Sequence, residues 1–422
     1  MRSGRVRTFP VLLGGVVLLA INLRPAAASV GPLLHRIQSD LGLSSGWAGA
    51  LTTLPVLCFG LMAPLAPVLA RRWGVHRSVA GSAALLLVGM LVRLIPGVGF
   101  LFLGTAVAGT AIATGNVLVP VLVRRDFPHR MGTAMALYTT SLIGFAALSA
   151  GLTVPLADAL GGGWRPGLAV WTIPAAVCTL AWLPVLLRRH RSPASVGSHQ
   201  PAPAVRPSAG ASSIRILLRS RLAWEVTLYF AFQSGIFYAT LAWLPSIFRS
   251  HGASEAHAGL LLSLSLVVGV ITALTVPGLA TRARDQRWLV AASCVLTAIG
   301  LTGILVAPMW APYLWAVILG LGENAAFPLS LMLIVLRGGD VATTESLSTL
   351  SQSVGYGLAA FAPLAVGALH GLTGSWAPAL IMLLALAVPE LAIGLQAGRS
   401  RTLADPGAAR QPPPRMIAGD RA

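Results

Sequence analysis

Lysine is absent from the 422 residues, and all the positive charge is carried by 30 arginines, against 12 acidic residues. Without lysine there can be no phosphate-cradling loop of the Gly-Lys-Ser/Thr type, so the chain is not its own ATPase of that kind. A Schiff-base lysine for pyridoxal phosphate or a retinal-like cofactor is excluded as well. Charge of either sign is scarce, at 10% of residues, where a soluble domain carries about a quarter. The three cysteines, Cys58, Cys178 and Cys294, each stand in the middle of an apolar run. They lack the paired spacing of metal ligands and read as small buried residues. Zinc-protease His-Glu-x-x-His, paired intramembrane aspartates and Gly-x-Ser-x-Gly are all missing. No enzyme activity, cofactor or metal is expected.

What is present is apolar. Hydrophobic residues make up 55% of the chain and the mean hydropathy is +0.78, which together with repeated long apolar runs reads as a multi-pass membrane protein. A net charge of +18 would suggest nucleic acid if it formed one patch. Here the arginines stand in short clusters between apolar runs, so the lipid bilayer is the expected partner and nucleic acid is not. The start, MRSGRVR, then FPVLLGGVVLLAI, then AAAS, has the outline of a cleaved signal peptide. Asn-Leu-Arg-Pro interrupts the approach to that cleavage site and further spans follow, so an uncleaved first helix is the preferred reading.

About 20 apolar residues cross a bilayer core of ~30 Å. On that measure the sequence predicts twelve helices, near 9–30, 46–70, 78–97, 99–123, 131–157, 167–187, 222–248, 255–280, 288–307, 309–336, 345–370 and 375–397. Twenty-five arginines fall at the two ends and in the even-numbered gaps. Only Arg36, Arg165 and Arg249 fall in the odd-numbered ones, and Arg24 and Arg93 lie inside spans. The positive-inside rule then places both termini in the cytoplasm, with the chain in the inner (cytoplasmic) membrane.

The Pro/Ser/Ala-rich stretch 192–221 reads as a cytoplasmic linker between an N-terminal half, 1–191, and a C-terminal half, 222–397, with a disordered cytoplasmic tail from 398 to 422. The halves repeat. Gly42/Gly252, Ser44/Ser254, Ala48/Ala258, Gly49/Gly259, Arg72/Arg282 and Arg77/Arg287 are each 210 residues apart. Asn116/Asn324 and Pro120/Pro328 are 208 apart. Matches in one order at nearly one offset mark an internal repeat. Six spans per half make the repeats parallel, which is the architecture of major facilitator transporters with a site between the halves.

Polar residues inside the spans are the candidate site. Arg24 follows Pro10 by 14 residues, about 21 Å along a helix, just beyond the midplane. An arginine there costs ~2.5–3.5 kcal/mol to insert, and its planar fork suits a carboxylate-like, cyanate-like or nitro group. Snorkelling or a structural pair with a carboxylate would also account for it. Arg93 lies about 24 Å past Arg77, with Pro96 and Gly97 following, and is expected to snorkel to the outer interface. Glu323 lies about 21 Å before Arg337. Two readings stay open for it: a proton-coupling carboxyl, or the static partner of Arg24. Asn22, Asn116, Tyr138, Gln233, Tyr238, Trp243, Asn324, Gln352 and Tyr356 stand at cavity-like depths and together suggest an amphipathic pocket for a small solute.

INLRPAAASVGPLL (21–34) followed by residues 41–74, FQSGIFYATLAWLPSIF (232–248), FPLSLMLIVLR (327–337) and QSVGYGLAAFAPLAVGALHGLTGSW (352–376) resemble the cyanate / 2-nitroimidazole transporter family of the major facilitator superfamily. The resemblance covers most of the chain outside the linker and tail. It implies an all-α, twelve-helix fold and secondary transport of a small cyanate-like or nitroimidazole-like solute. Separately from the resemblance, the proton gradient is expected to drive transport, and a monomer is expected to be the working unit. Two positions depart from the pattern. Arg71 stands where the superfamily's loop between helices 2 and 3 usually carries an aspartate. The expected cytoplasmic gate of Arg71, Arg72, Asp126 and Arg282 then rests on Asp126 pairing with Arg71 or Arg72. Glu323 stands where a neutral residue is expected. The rival readings are a multidrug-type efflux pump of the same fold and a non-transporting membrane sensor.

Overall fold

The computed structural model describes residues 3–127, 131–187, 217–339 and 341–403. Most of the linker expected at 192–221, and the tail beyond 403, lie outside the described residues. Helix is the only regular structure among the described residues. The first span is built of three pieces, α1 (Ser3–Leu23), α2 (Pro25–Ala28) and α3 (Val30–Leu41). Its axis bends by 42° between Leu13–Ala28 and Val30–Leu41. Pro25 has no N–H and its ring crowds the preceding turn, so the hydrogen-bond ladder breaks at Arg24, the residue capping α2. The span runs past residue 30, where the sequence reading ended it. Pro32 falls in the first turn of α3, where a missing N–H leaves no bond unmade.

Helices α4 (Ser45–Met62), α5 (Ala66–Trp73), α6 (Val75–Val92), α7 (Val98–Asp126), α8 (Met131–Ala159), α9 (Trp164–Ala169) and α10 (Thr172–Leu187) complete the first half. The second half comprises α11 (Arg221–Ser250), α12 (Glu255–Arg282), α13 (Arg287–Val306), α14 (Pro312–Gly338), α15 (Val341–Ala359), α16 (Phe361–Thr373) and α17 (Ala377–Ala397). Among the described residues ten helices are long and apolar enough to cross a membrane, eleven when the bent first pair is one span. At 30 residues, or about 45 Å, α11 is long enough to be a twelfth. It is more polar than the others and buried along its length, so its polar side chains meet protein instead of lipid. The arrangement is consistent with twelve spans.

The repeat has a physical basis in its turns. Gly42 and Gly252 both have positive φ, +62° and +97°, which side chains with a Cβ rarely adopt. Two residues on, the Ser44 and Ser254 hydroxyls cap α4 and α12 by accepting from the backbone N–H of Trp47 and His257. Each half therefore enters its second long helix by the same turn and cap.

The halves meet along two seams, α8 against α12 and α4 against α15 and α16. On the rim that joins α3 to α4 and α11 to α12, Arg36 bridges them with ions. Its guanidinium lies 2.7 Å from Asp158 and 2.5 Å from Glu255, and Arg249 lies 3.5 Å from the same Glu255. Arg165 pairs with Asp40 at 3.1 Å. The three arginines of the odd-numbered gaps are therefore all neutralised by acids, which sharpens the charge asymmetry seen in the sequence. On the opposite rim residues 398–403, assigned from sequence to the tail, are docked. Gly398 accepts from Gln286 N (2.9 Å), Leu403 N donates to the Arg337 carbonyl (2.8 Å), and Arg401 pairs with Glu225 (2.8 Å). The buried Arg337 side chain donates to the Ala397 carbonyl (2.8 Å) and to Gln286. Those buried donors and acceptors need partners, and residues 396–403 supply several of them.

Candidate functional site

A cavity of ≈240 Å³ lies between the halves. Three helices present matching faces to it. Thr139, Leu142, Ile143 and Ala146 come from α8, Ser234, Phe237, Tyr238 and Leu241 from α11, and Asn324, Phe327, Pro328 and Leu331 from α14. Each set is spaced i, i+3, i+4, i+7, one stripe of a helix. From α12 come Leu266, Ala273 and Pro277, and the first span adds Arg24 and Ala28, four apart. The cavity extends from the level of Leu241 toward Pro277 and Met332, away from the Arg36 rim.

Arg24 is the one charged side chain among the described residues lining it. The helix break puts it there. A guanidinium on an unbroken α1 would have neighbouring turns on both sides, whereas Arg24 caps a new segment. Its Nη1 donates to the Tyr238 hydroxyl at 3.3 Å, and the guanidinium carbon lies 5.8 and 6.0 Å from the ring centres of Phe237 and Tyr238. Tyr138 and Tyr356 lie within electrostatic range of it. Its Nε has no partner, and no acidic side chain among the described residues pairs with it. Rings and hydroxyls satisfy part of a cation but do not neutralise it. The arrangement is a cation with donors to spare, at the wall of an otherwise apolar space.

Glu323 is not its partner. The carboxyl oxygens of Glu323 lie 2.9 and 3.0 Å from Thr240 Oγ1 on α11, and the residue is 6% exposed. Its neighbour Asn324 reaches the cavity while donating to the Ser265 and Gly320 carbonyls. Tyr138 donates to Asn116 Oδ1 at 3.1 Å, linking the α7 and α8 members of the group. Tyr356 packs edge-on against Phe59, Phe230 and Tyr238.

Other sequence candidates turn away. The Asn22 amide donates to the Leu18 and Pro174 carbonyls and ties α1 to α10. Trp243 donates to the Pro363 carbonyl at 2.8 Å and packs against Trp376, near the Arg36 rim. Gln233 bonds to Phe230 O and Ser234 Oγ on its own helix, and Gln352 to Ser348. Of the expected gate, Asp126 pairs with His76 at 2.6 Å instead of with Arg71 or Arg72. Arg71, Arg72 and Arg282 are exposed. His76 is the second residue of α6, which brings it against the last residue of α7. Arg93 corrects the sequence expectation outright. It is 1% exposed, and its Nη1 donates to the Ala26 carbonyl at 2.7 Å.

Sequence reasoning missed Phe237, Ser234 and Phe327, because single polar residues were weighed one at a time. The i, i+3, i+4, i+7 spacing of 234, 237, 238 and 241 was the available signal. It also passed over Glu390, which is 2% exposed on α17 and lies against Cys294.

The comparisons with known proteins agree with this architecture. The chain is 35% identical to the 2-nitroimidazole transporter of Escherichia coli (strain K12), over 95% of this chain and 98% of that protein. It is 33% identical to the cyanate transport protein CynX of the same organism, over 86% and 90%. It is 39% identical to the uncharacterized transporter YycB of Bacillus subtilis (strain 168), over 92% and 94%. Among solved structures, a bacterial homolog of the human lysosomal transporter Spinster superposes with a TM-score of 0.73 at 15% identity, over 95% of this chain and 98% of that one. The Major Facilitator Superfamily profile matches residues 16–360. With twelve helices' worth of chain folded as two halves around a cation-bearing cavity, the protein belongs to the Major Facilitator Superfamily and is a multi-pass membrane transporter of that family.

Proposed function

We propose that the chain carries a small, flat, anionic or nitro-bearing organic solute, held between the halves with its negative end on Arg24. The observation that carries this reading is the uncompensated Arg24 guanidinium, with a free Nε, at the wall of the cavity. A solute oxygen would complete the guanidinium's hydrogen bonds, and the rings of Phe237 and Phe327 would cover a planar body. A three-atom anion such as cyanate would leave most of ≈240 Å³ empty, so a nitroimidazole-like solute suits the space better. The 2-nitroimidazole transporter among its relatives supports the same choice. Both termini lie in the cytoplasm, so the Arg36 rim faces outward and closes the outer side. Rocking of the halves exposes the cavity alternately, and Glu323 supplies the proton coupling.

The test is uptake of labelled 2-nitroimidazole, benzoate and cyanate into proteoliposomes, with and without an imposed pH gradient. Saturable uptake of one of the two aromatic solutes, exceeding that of cyanate, is expected. Uptake of none of the three by wild type would remove the substrate proposal. In Glu323→Gln, solute exchange at equal pH is expected to continue while accumulation driven by the gradient is lost; accumulation at the wild-type level would remove Glu323 from coupling.

A multidrug-type pump is the second reading, and the apolar stripes on α8, α11 and α14 favour it. It requires transport of cationic amphipaths that is indifferent to Arg24.

A further inference from the structure

We infer that Arg93 is a positioning residue for the Arg24 site: from the end of α6 it holds the short segment between the two breaks of the first span, and so fixes where the Arg24 guanidinium stands. The inference rests on the reading of Arg24 as the anion contact.

Arg93 is a full cation with 1% exposure and no acidic partner among the described residues. Its Nη1 donates to the Ala26 carbonyl, and its Nε and Nη2 have no partner. A buried charge with one neutral acceptor is costly, and an apolar side chain of similar size would fill the same volume more cheaply. What the guanidinium adds is its grip on one particular carbonyl. Ala26 lies in α2, the four-residue piece between the breaks at Arg24 and Ser29. So short a helix has almost no ladder of its own to fix its rotation. Its rotation nonetheless matters. Arg24 and Ala28 face the main cavity, while Ala26 and Ala27 line a separate pocket beside Thr52 and Thr105.

The post is itself rigid. A Cβ placed on Gly104 would lie 2.4 Å from the Arg93 backbone nitrogen, and one on Gly89 2.5 Å from that of Ala108. Backbone therefore meets backbone where α6 crosses α7, the closest packing small residues allow in a membrane. The chain of contact runs from the α6–α7 crossing through Arg93 to Ala26, and from there along two residues to Arg24.

The experiment is a double-mutant cycle on the full-length protein in proteoliposomes, reading KM and Vmax for 2-nitroimidazole and benzoate. Arg93→Met is expected to raise KM about tenfold, or about 1.4 kcal/mol. Arg93→Lys, which keeps one donor for the Ala26 carbonyl, is expected to restore KM to within about threefold. In the Arg24→Gln background, Arg93→Met is expected to change KM less than about twofold, since the residue it positions is gone. If the methionine variant does not assemble, Arg93→Gln is read in its place. An unchanged KM with a lower Vmax or yield alone would reduce Arg93 to a structural residue. A KM effect that persists in full beside Arg24→Gln would mean that Arg93 does not act through Arg24. Either result overturns the inference while leaving the Arg24 reading standing; an Arg24→Gln variant with wild-type KM overturns both.

Discussion

Arg24→Gln is expected to weaken uptake of an anionic aromatic solute by about 30-fold or more in Vmax/KM. Removing one partner from a desolvated charge contact costs about 2–5 kcal/mol, and about 1.4 kcal/mol is a factor of ten. The structure makes the loss hard to offset. No other charged side chain among the described residues lines the cavity, and the Tyr238 hydroxyl that accepts from Arg24 supplies a single donor. Arg24→Lys keeps the charge but loses the planar fork, so an intermediate loss is expected, carried mainly by KM. Protein yield is expected to hold in both variants, because Arg24 has no acidic partner to be orphaned by its removal. Uptake kinetics of the three proteins decide it. Wild-type Vmax/KM in Arg24→Gln would place the anion contact elsewhere and favour the multidrug reading.

Glu255→Gln is expected to open the rim that Arg36 closes. Glu255 receives both Arg36, at 2.5 Å, and Arg249, at 3.5 Å. Arg36 also holds Asp158 and the Gly162 carbonyl within its own half, so its pair with Glu255 is the contact that ties the two halves together. The Arg36 and Glu255 side chains are 21% and 16% exposed, between the surface and buried limits. A contribution of about 1–2 kcal/mol follows, above the surface median of about 0–1 and below the 3–5 of a broken buried pair. On the proposed alternating-access cycle only the outward-closed arrangement makes the contact, so losing it is expected to shift the open population by roughly tenfold. A cysteine at Ala28, on the cavity wall, reports this in a background with the three native cysteines replaced. Its labelling by an impermeant thiol reagent added from the outer face is expected to quicken by about that factor in Glu255→Gln. Higher salt should narrow the difference by screening the pairs of the wild type. An unchanged labelling rate would show that the ion pairs contribute nothing to closure.

By itself the sequence determined the membrane fold. Apolar run length, arginine placement and the 210-residue offset are local quantities, and each survives however the helices rotate. The offset even marked a turn and cap, Gly42–Ser44 and Gly252–Ser254, whose chemistry is written in those residue types. Arg24 was legible because a cation next to a proline inside an apolar run is costly in any arrangement. Tertiary structure alone decided where side chains point. Asn22 and Trp243 were grouped with Tyr138 and Tyr238 by depth, yet Asn22 bonds to α10, and Trp243, five residues past Tyr238 on the same helix, bonds to Pro363 near the Arg36 rim. Glu323 and Arg24 were candidates for each other by depth, but Thr240 holds the carboxyl. Arg93 was placed by its distance along a helix, which suited an interface, while an unused carbonyl 67 residues away drew it inward. Depth along a helix follows from residue number at 1.5 Å per step, whereas direction around it depends on which neighbour offers the best partner. That neighbour is chosen by packing between segments far apart in the chain.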